Sequence, residues 1–379
     1  MKNIICRIIL YALFVCIIFF GQQLDAITVP SPWEEFNREP VTENNYTGVV
    51  LRDEDNKGTV TITGYRSELI IPAEINGMPV TGIGAWAFNS NDIYAVIMPN
   101  SVTGIGPGAF DGNHLTKIII PDSVTFIGSG AFRNNRLTGL VIPGSVTFIG
   151  YQAFSGNRMT AVIIPENVTT IEPAAFSHNR NLTEIYTAPG NPNYRSSDGV
   201  LYNKDGTVLL QWPAGKFDIV TIPVKVPHRP PEGDTDTLRM VTIPDGVTAI
   251  GDGAFAGNDL TRVVIPDSVT SIGESAFEGN RLTGITIPNR VNSIGRYAFW
   301  GYNLTEIIIP DSVTVIGERA FNSQKITSIT IGKNVTLEES QGMGIFGDRS
   351  FETVYADNNR QAGTYTRPNS QSQEWTIQQ

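Results

Sequence analysis

The segment IPDSVTSIGESAF at residues 265 to 277 stands earlier in the chain as IPDSVTFIGSGAF, at 120 to 132, and later as IPDSVTVIGERAF, at 309 to 321. Its landmarks keep one beat. Pro99, Pro121, Pro143 and Pro165, then Pro244, Pro266, Pro288 and Pro310, fall 22 residues apart within each run. Phe88, Phe110, Phe132, Phe154 and Phe176, then Phe255, Phe277, Phe299 and Phe321, keep the same interval. A fixed period in the twenties specifies a solenoid, because each repeat is a unit too small to bury its own apolar side and must close its core against its neighbours.

Within a unit of the form LTxIxIPxSVTxIGxxAFxxN, Leu115, Ile118 and Ile120 follow the spacing of a strand with one buried face, and Pro121 ends that strand by removing a donor. One strand per coil then stacks into a parallel sheet. Val124 and Ile127 form a second short apolar pair, Gly128 suits a tight corner, and Ala131 with Phe132 suits a turn of helix folded under the core. Asn91, Asn113, Asn135, Asn157, Asn179, Asn258 and Asn280 stand three residues after the phenylalanine. They read as turn amides that satisfy the backbone of the adjacent coil rather than as a glycan or metal ladder.

The beat fails after Thr187. DGVLYNKDGTVLLQW reads as a β-hairpin around NKDG, with Gly206 free to take a positive φ, and FDIVTIP at 217 to 223 resumes the strand phrase. VKVPHRPPEGDTDT then replaces the usual second half of a coil and implies an exposed loop. The expected organisation is a leader at 1–26, an N-terminal cap at 27–65, a first repeat block at 66–188, a hairpin insertion with a degenerate Pro-rich repeat at 189–237, a second block at 238–346, and a C-terminal cap and tail at 347–379. The irregular middle fits a hinge, a binding protrusion or a drifted loop.

Lys2 and Arg7 precede the uninterrupted apolar run Ile8 to Phe20, and Ala26 supplies a small residue for cleavage, the pattern of a secretory signal peptide. An uncleaved anchor starting near Ile4 is the alternative. Both cysteines, Cys6 and Cys16, lie inside this leader, so a processed chain has no disulfide, thiol nucleophile or cysteine-based metal site. The net charge of −10 disfavours nucleic acid and anionic lipid as partners, since those are held by lysine and arginine.

No constellation points to chemistry. His114, His178 and His228 are scattered over turns and the Pro-rich loop, none in an HExxH or beside a GxSxG. GMGIFG at 342 to 347 spells GxGxxG without the strand before it, and Phe346 fits the repeat's own phenylalanine slot. No cofactor, metal or catalytic residue is expected.

The unit itself, the entry TVTITGYRSELIIPAEINGMPVTGIGAWAF, the hairpin GNPNYRSSDGVLYNKDGTVLLQWPAGK and the exit NNRQAGTYT together resemble the BspA-like leucine-rich-repeat proteins of bacteria, over about residues 58 to 366. The resemblance implies a mainly β leucine-rich-repeat horseshoe with short helical turns on its back, and secreted or surface-attached proteins that act in adhesion. Here asparagine stands where many members carry cysteine, and no wall-sorting motif follows the array.

With the inward positions assigned, the outward ones can be read as columns. One runs Ile97, Ile119, Val141, Ile163 and Tyr186, then Thr242, Val264, Thr286, Ile308 and Thr330; another includes Phe126 and Phe148. A β-branched column either supports the sheet ladder or marks a partner site. On the second reading Ile97, Ile119, Val141, Ile163, Tyr186, Phe126 and Phe148, bordered by Lys117 and Glu184, bind a protein. The expected function is therefore that of an exported, non-catalytic protein-binding protein, an adhesin toward host matrix or cell surfaces, with no integral membrane domain once the leader is removed. The alternatives are a periplasmic or secreted scaffold meeting the bacterium's own components, and a carbohydrate-directed protein.

Overall fold

The computed structural model describes residues 38–43, 46–52, 58–62, 68–75, 78–220, 238–301, 304–322, 325–338, 344–347 and 349–378. The expected leader, the expected Pro-rich loop with His228, and Gly342 of the GxGxxG sequence lie outside the described residues. The chain divides into two compact units: unit 1 holds Met1–Met159 and Ile163–Ala175, and unit 2 holds Thr160–Val162 and Phe176–Gln379.

Both units are mainly β parallel solenoids built on the same coil. In unit 1 the strands Gly82–Ile83, Gly104–Ile105, Phe126–Ile127, Phe148–Ile149 and Thr170–Ile171 form one parallel ladder. Each rung is only two residues long because a turn precedes it and a corner ends it, at a glycine in four of the five and at Glu172 after Thr170–Ile171. Glycine is required at two of these corners by close approach: a Cβ on Gly128 would lie 2.6 Å from the backbone nitrogen of Pro107, and one on Gly150 would lie 2.4 Å from that of Ser129. The Gly128 and Gly150 amides use that closeness to donate to the carbonyls of Ile105 and Ile127, each at 2.8 Å.

Beneath the ladder the phenylalanines stack. Phe88, Phe110, Phe132 and Phe154 lie 5.4 Å apart, centroid to centroid, with Phe110, Phe132 and Phe154 excluded from solvent. In unit 2 the column runs Trp212, Phe255, Phe277, Phe299, Phe321 and Phe346 at 4.9 to 5.6 Å. The turn asparagine seals each coil. Asn135 accepts from the Leu115 amide at 3.0 Å and donates to the carbonyls of Phe110 at 2.8 Å and Phe132 at 3.1 Å. Asn280 does the same for Leu260, Phe255 and Phe277. The buried backbone of one coil is thus satisfied by a side chain of the next.

Three local expectations need correction. The phenylalanine segment is not a turn of helix but two successive tight turns, with a residue of positive φ between them: Gly108 at 61°, Gly130 at 63° and Gln152 at 53°. A left-handed residue there breaks helical continuation. Among the described residues the one α-helix is Ser350–Asp357.

The first segment of each coil joins a ladder only in places. Glu68–Ile70 pairs with Ala95–Ile97, and Glu306–Ile308 with Ser328–Ile331, yet the segments holding Ile119 and Val141 form no strand. Thr138 reaches Thr116 at 3.4 Å, against 2.8 Å at the glycine corners. Gly139 stands in one unpaired segment and Gly284 in another, where a glycine weakens a rung for both neighbours.

The third correction concerns unit 2. Tyr194–Ser197, Val200–Asn203 and Val208–Gln211 form an antiparallel meander whose last strand pairs in parallel with Ala249–Ile250. Val208–Trp212 thereby supplies the second half of a coil: Thr207 accepts from Thr248 and Trp212 donates to Ala254, each at 2.8 Å. The segment Asp218–Val220 does not resume the parallel phrase but runs antiparallel to Leu238–Thr242.

Unit 2 ends on the helix Ser350–Asp357 and the strands Gly363–Thr366 and Thr376–Gln378, which continue the sheet from Ser328–Ile331 in antiparallel order. Tyr355 donates from its hydroxyl to the Gly332 carbonyl at 2.6 Å, and Phe351, Tyr365 and Trp375 pack edge to face over the last coil. In unit 1, Arg38–Glu43, Tyr46–Arg52 and Gly58–Ile62 form a separate three-stranded antiparallel sheet.

Candidate protein-binding face

The outward side chains of the first segment are placed by the inward ones. Ile118, Ile120 and Ile142 are buried, so Ile119 and Val141 between them must point to water. The column is exposed along unit 1: Ile97 by 50%, Ile119 by 83%, Val141 by 79% and Ile163 by 61%. Three coil-to-coil steps of about 5 Å make it roughly 15 Å long. Lys117 lies two residues before Ile119 on the same exposed side.

Phe126 and Phe148 occupy the ladder instead. A turn closed by the Val124 amide on the Pro121 carbonyl, at 3.0 Å, separates them from the isoleucine column. Their rings stack at 4.8 Å, Phe126 exposed and Phe148 half-buried. Tyr186, exposed, and Glu184, half-buried, belong to unit 2.

Reading single columns misses the charges on either side. Upstream of the apolar column, one residue per coil, stand Asp92, His114, Arg136 and Arg158; downstream stand Asn100, Asp122, Gly144 and Glu166. The 22-residue interval that lines up the phenylalanines also lines up these positions, and the Arg136 and Arg158 amides confirm the register by donating to Leu115 and Leu137 at 2.9 Å. Lys117, Arg136, Arg158, Asp122 and Glu166 have no side-chain ion pair or hydrogen bond among the described residues. His114 is engaged, with Nε2 3.2 Å from Asp92 and Tyr94 against its ring edge. Arg133 is also tied down: three hydrogen bonds to the Asp111 carboxylate hold its guanidinium above its ordinary pKa.

Unit 2 fills the equivalent upstream position differently. Asp259, almost buried, lies 3.2 Å from Arg180, 3.6 Å from Arg281 and 3.7 Å from Arg239. Its apolar column is interrupted by Thr242 and Thr286. His178 packs its ring on Gly257, where a Cβ would meet it at 2.3 Å; the lost hydration lowers its pKa, and Glu278 offsets only part of that shift. Its Nδ1 is 3.2 Å from the hydroxyl of Ser177, which is itself closed to solvent. Among the described residues no group of histidine, aspartate and glutamate side chains converges as a metal site, and no helix is long and apolar enough to cross a membrane.

The stacked phenylalanine column and the 22-residue coil are matched by the model of the BspA type leucine rich repeat region, in six copies over residues 74–194 and 234–342. The chain belongs to this family. Two solved structures similar to it share the fold. A leucine-rich repeat protein from Eubacterium ventriosum is 26% identical with a TM-score of 0.52, the match covering 72% of this chain and 76% of that one. The pneumococcal vaccine antigen PcpA is 23% identical with a TM-score of 0.54, covering 78% and 82%. Comparison with curated proteins gives no match.

Proposed function

We propose that this BspA-type chain is an exported, non-catalytic protein-binding protein whose contact surface is the apolar column of unit 1, acting as an adhesin toward host extracellular matrix or cell surfaces. The observation that carries this reading is where the most exposed members sit. Ile119 and Val141 lie in segments that form no ladder, so their β-branched side chains are not explained by support of a sheet. A contiguous apolar column on a surface with net negative charge costs solubility unless a partner covers it.

The test separates scaffold from surface. Ile119→Asp and Ile163→Asp are expected to abolish capture of immobilised matrix proteins while shifting thermal unfolding by less than about 2 °C, as surface substitutions do. A large fall in Tm would mean that the column is structural. Protease treatment of intact cells completes the test: loss of the protein places it outside the cell, whereas survival favours a scaffold for the bacterium's own components.

A further inference from the structure

We propose that the occupant of the unit 1 surface is an extended polypeptide segment in which apolar residues alternate with acidic ones. This rests on the reading of the apolar column as a protein contact and adds the chemistry of what it contacts. Across the coil the surface is ordered: Arg136 and Arg158, then Lys117, then the apolar column, then Asp122 and Glu166. Among the described residues, Lys117, Arg136, Arg158, Asp122 and Glu166 have no side-chain partner. In an extended segment lying along the stack, successive side chains point to opposite sides with period two. One set then covers Ile97, Ile119, Val141 and Ile163, while the other reaches toward Lys117, Arg136 and Arg158 and is favoured when acidic. An acidic set turned the other way would meet Asp122 and Glu166.

Other occupants fit less well. A nucleic acid would place phosphates over the apolar column and against the Asp122 and Glu166 carboxylates. A second copy turned about an axis parallel to the stack would set each basic rim against an acidic one, but the surface is small. About 15 Å of stack by roughly 16 Å of extended chain gives on the order of 250 Å², well short of the roughly 800 Å² per partner of a stable interface. A narrow segment suits that area.

The full chain is titrated against two short fluorescein-labelled peptides, one alternating leucine with aspartate and one alternating leucine with lysine, by fluorescence anisotropy. The aspartate peptide is expected to bind roughly tenfold tighter, the effect of two screened ion pairs, with the preference reduced at high salt. The double variant Arg136→Glu/Arg158→Glu is expected to reverse the order, and Ile119→Asp to weaken both peptides. Equal or reversed preference in the parent chain, with Ile119→Asp still weakening both, overturns the charge assignment and leaves the apolar contact standing. Binding that Ile119→Asp does not change, or no binding of either peptide, overturns both. Sedimentation showing a dimer that Arg136→Glu dissociates assigns the surface to a second copy and overturns the peptide occupant.

Discussion

Units 1 and 2 share a coil, a phenylalanine column and an asparagine seal, yet their outward residues differ. In unit 1 the upstream row pairs His114 with Asp92 and leaves Arg136 and Arg158 without an ion pair among the described residues, and the column is continuous. In unit 2 Asp259 sits among Arg180, Arg239 and Arg281, and threonines break the column. The inward half of the repeat is held by close packing, where a change of volume is felt by the neighbouring coils, while the outward half is free to diverge. The difference between the units is therefore informative about binding in a way that the shared core is not.

The comparison can be broken first at the core. Phe132→Ala in unit 1 and Phe277→Ala in unit 2 should each cost about 3 to 5 kcal/mol through the cavity left in the stack. Urea unfolding measures both, and a much smaller loss in one unit would show that its column is not close-packed. Next come the seals. Asn135→Ala strands the buried Leu115 amide and Asn280→Ala that of Leu260, each for a loss of about 1 to 3 kcal/mol, while the Phe110 and Phe132 carbonyls keep Asn113 and Asn157 as donors; the two variants should again agree.

Asp259→Asn sharpens the outward half of the comparison. Asparagine accepts the φ of 53° at this position, so the change removes charge rather than shape. It releases Arg180 and Arg281 at a cost of about 1 kcal/mol, since both are mostly exposed. Titration with the aspartate peptide should still saturate at one site, because unit 2 lacks the continuous apolar column. A second site of equal affinity would show that charge alone directs binding.

The smallest effect depends on pH. His178 has a pKa below that of an unfolded histidine, so as pH falls below about 6.5 the unfolded chain takes up the proton first and unit 2 loses stability. That contribution is present in full above the unfolded value and declines through the lower folded one. His178→Gln should flatten the fall in Tm between neutral and mildly acidic pH, and an unchanged slope would assign the dependence to other groups.

Much of this was legible in the residues. Alternation in KIII at 117 to 120 places Ile119 outward whatever its neighbours do, and the structure exposes it more than any other large hydrophobic side chain among the described residues. The meander was only half legible, because the sequence of VLLQW shows a hairpin arm but not that the arm continues a parallel ladder. Pairing depends on which backbone lies alongside, and FDIV, which reads as a parallel repeat strand, found an antiparallel partner.

The sequence by itself determined the period, the inward columns and the coil, because these follow from side-chain volume and spacing along a single chain. Only the tertiary structure decided which segments form ladders, that Trp212 stands in a phenylalanine slot, and which arginines are neutralised by Asp259. The Trp212 and Asp259 contacts join residues 20 or more positions apart in the sequence, and such distances exist only once the coils have stacked.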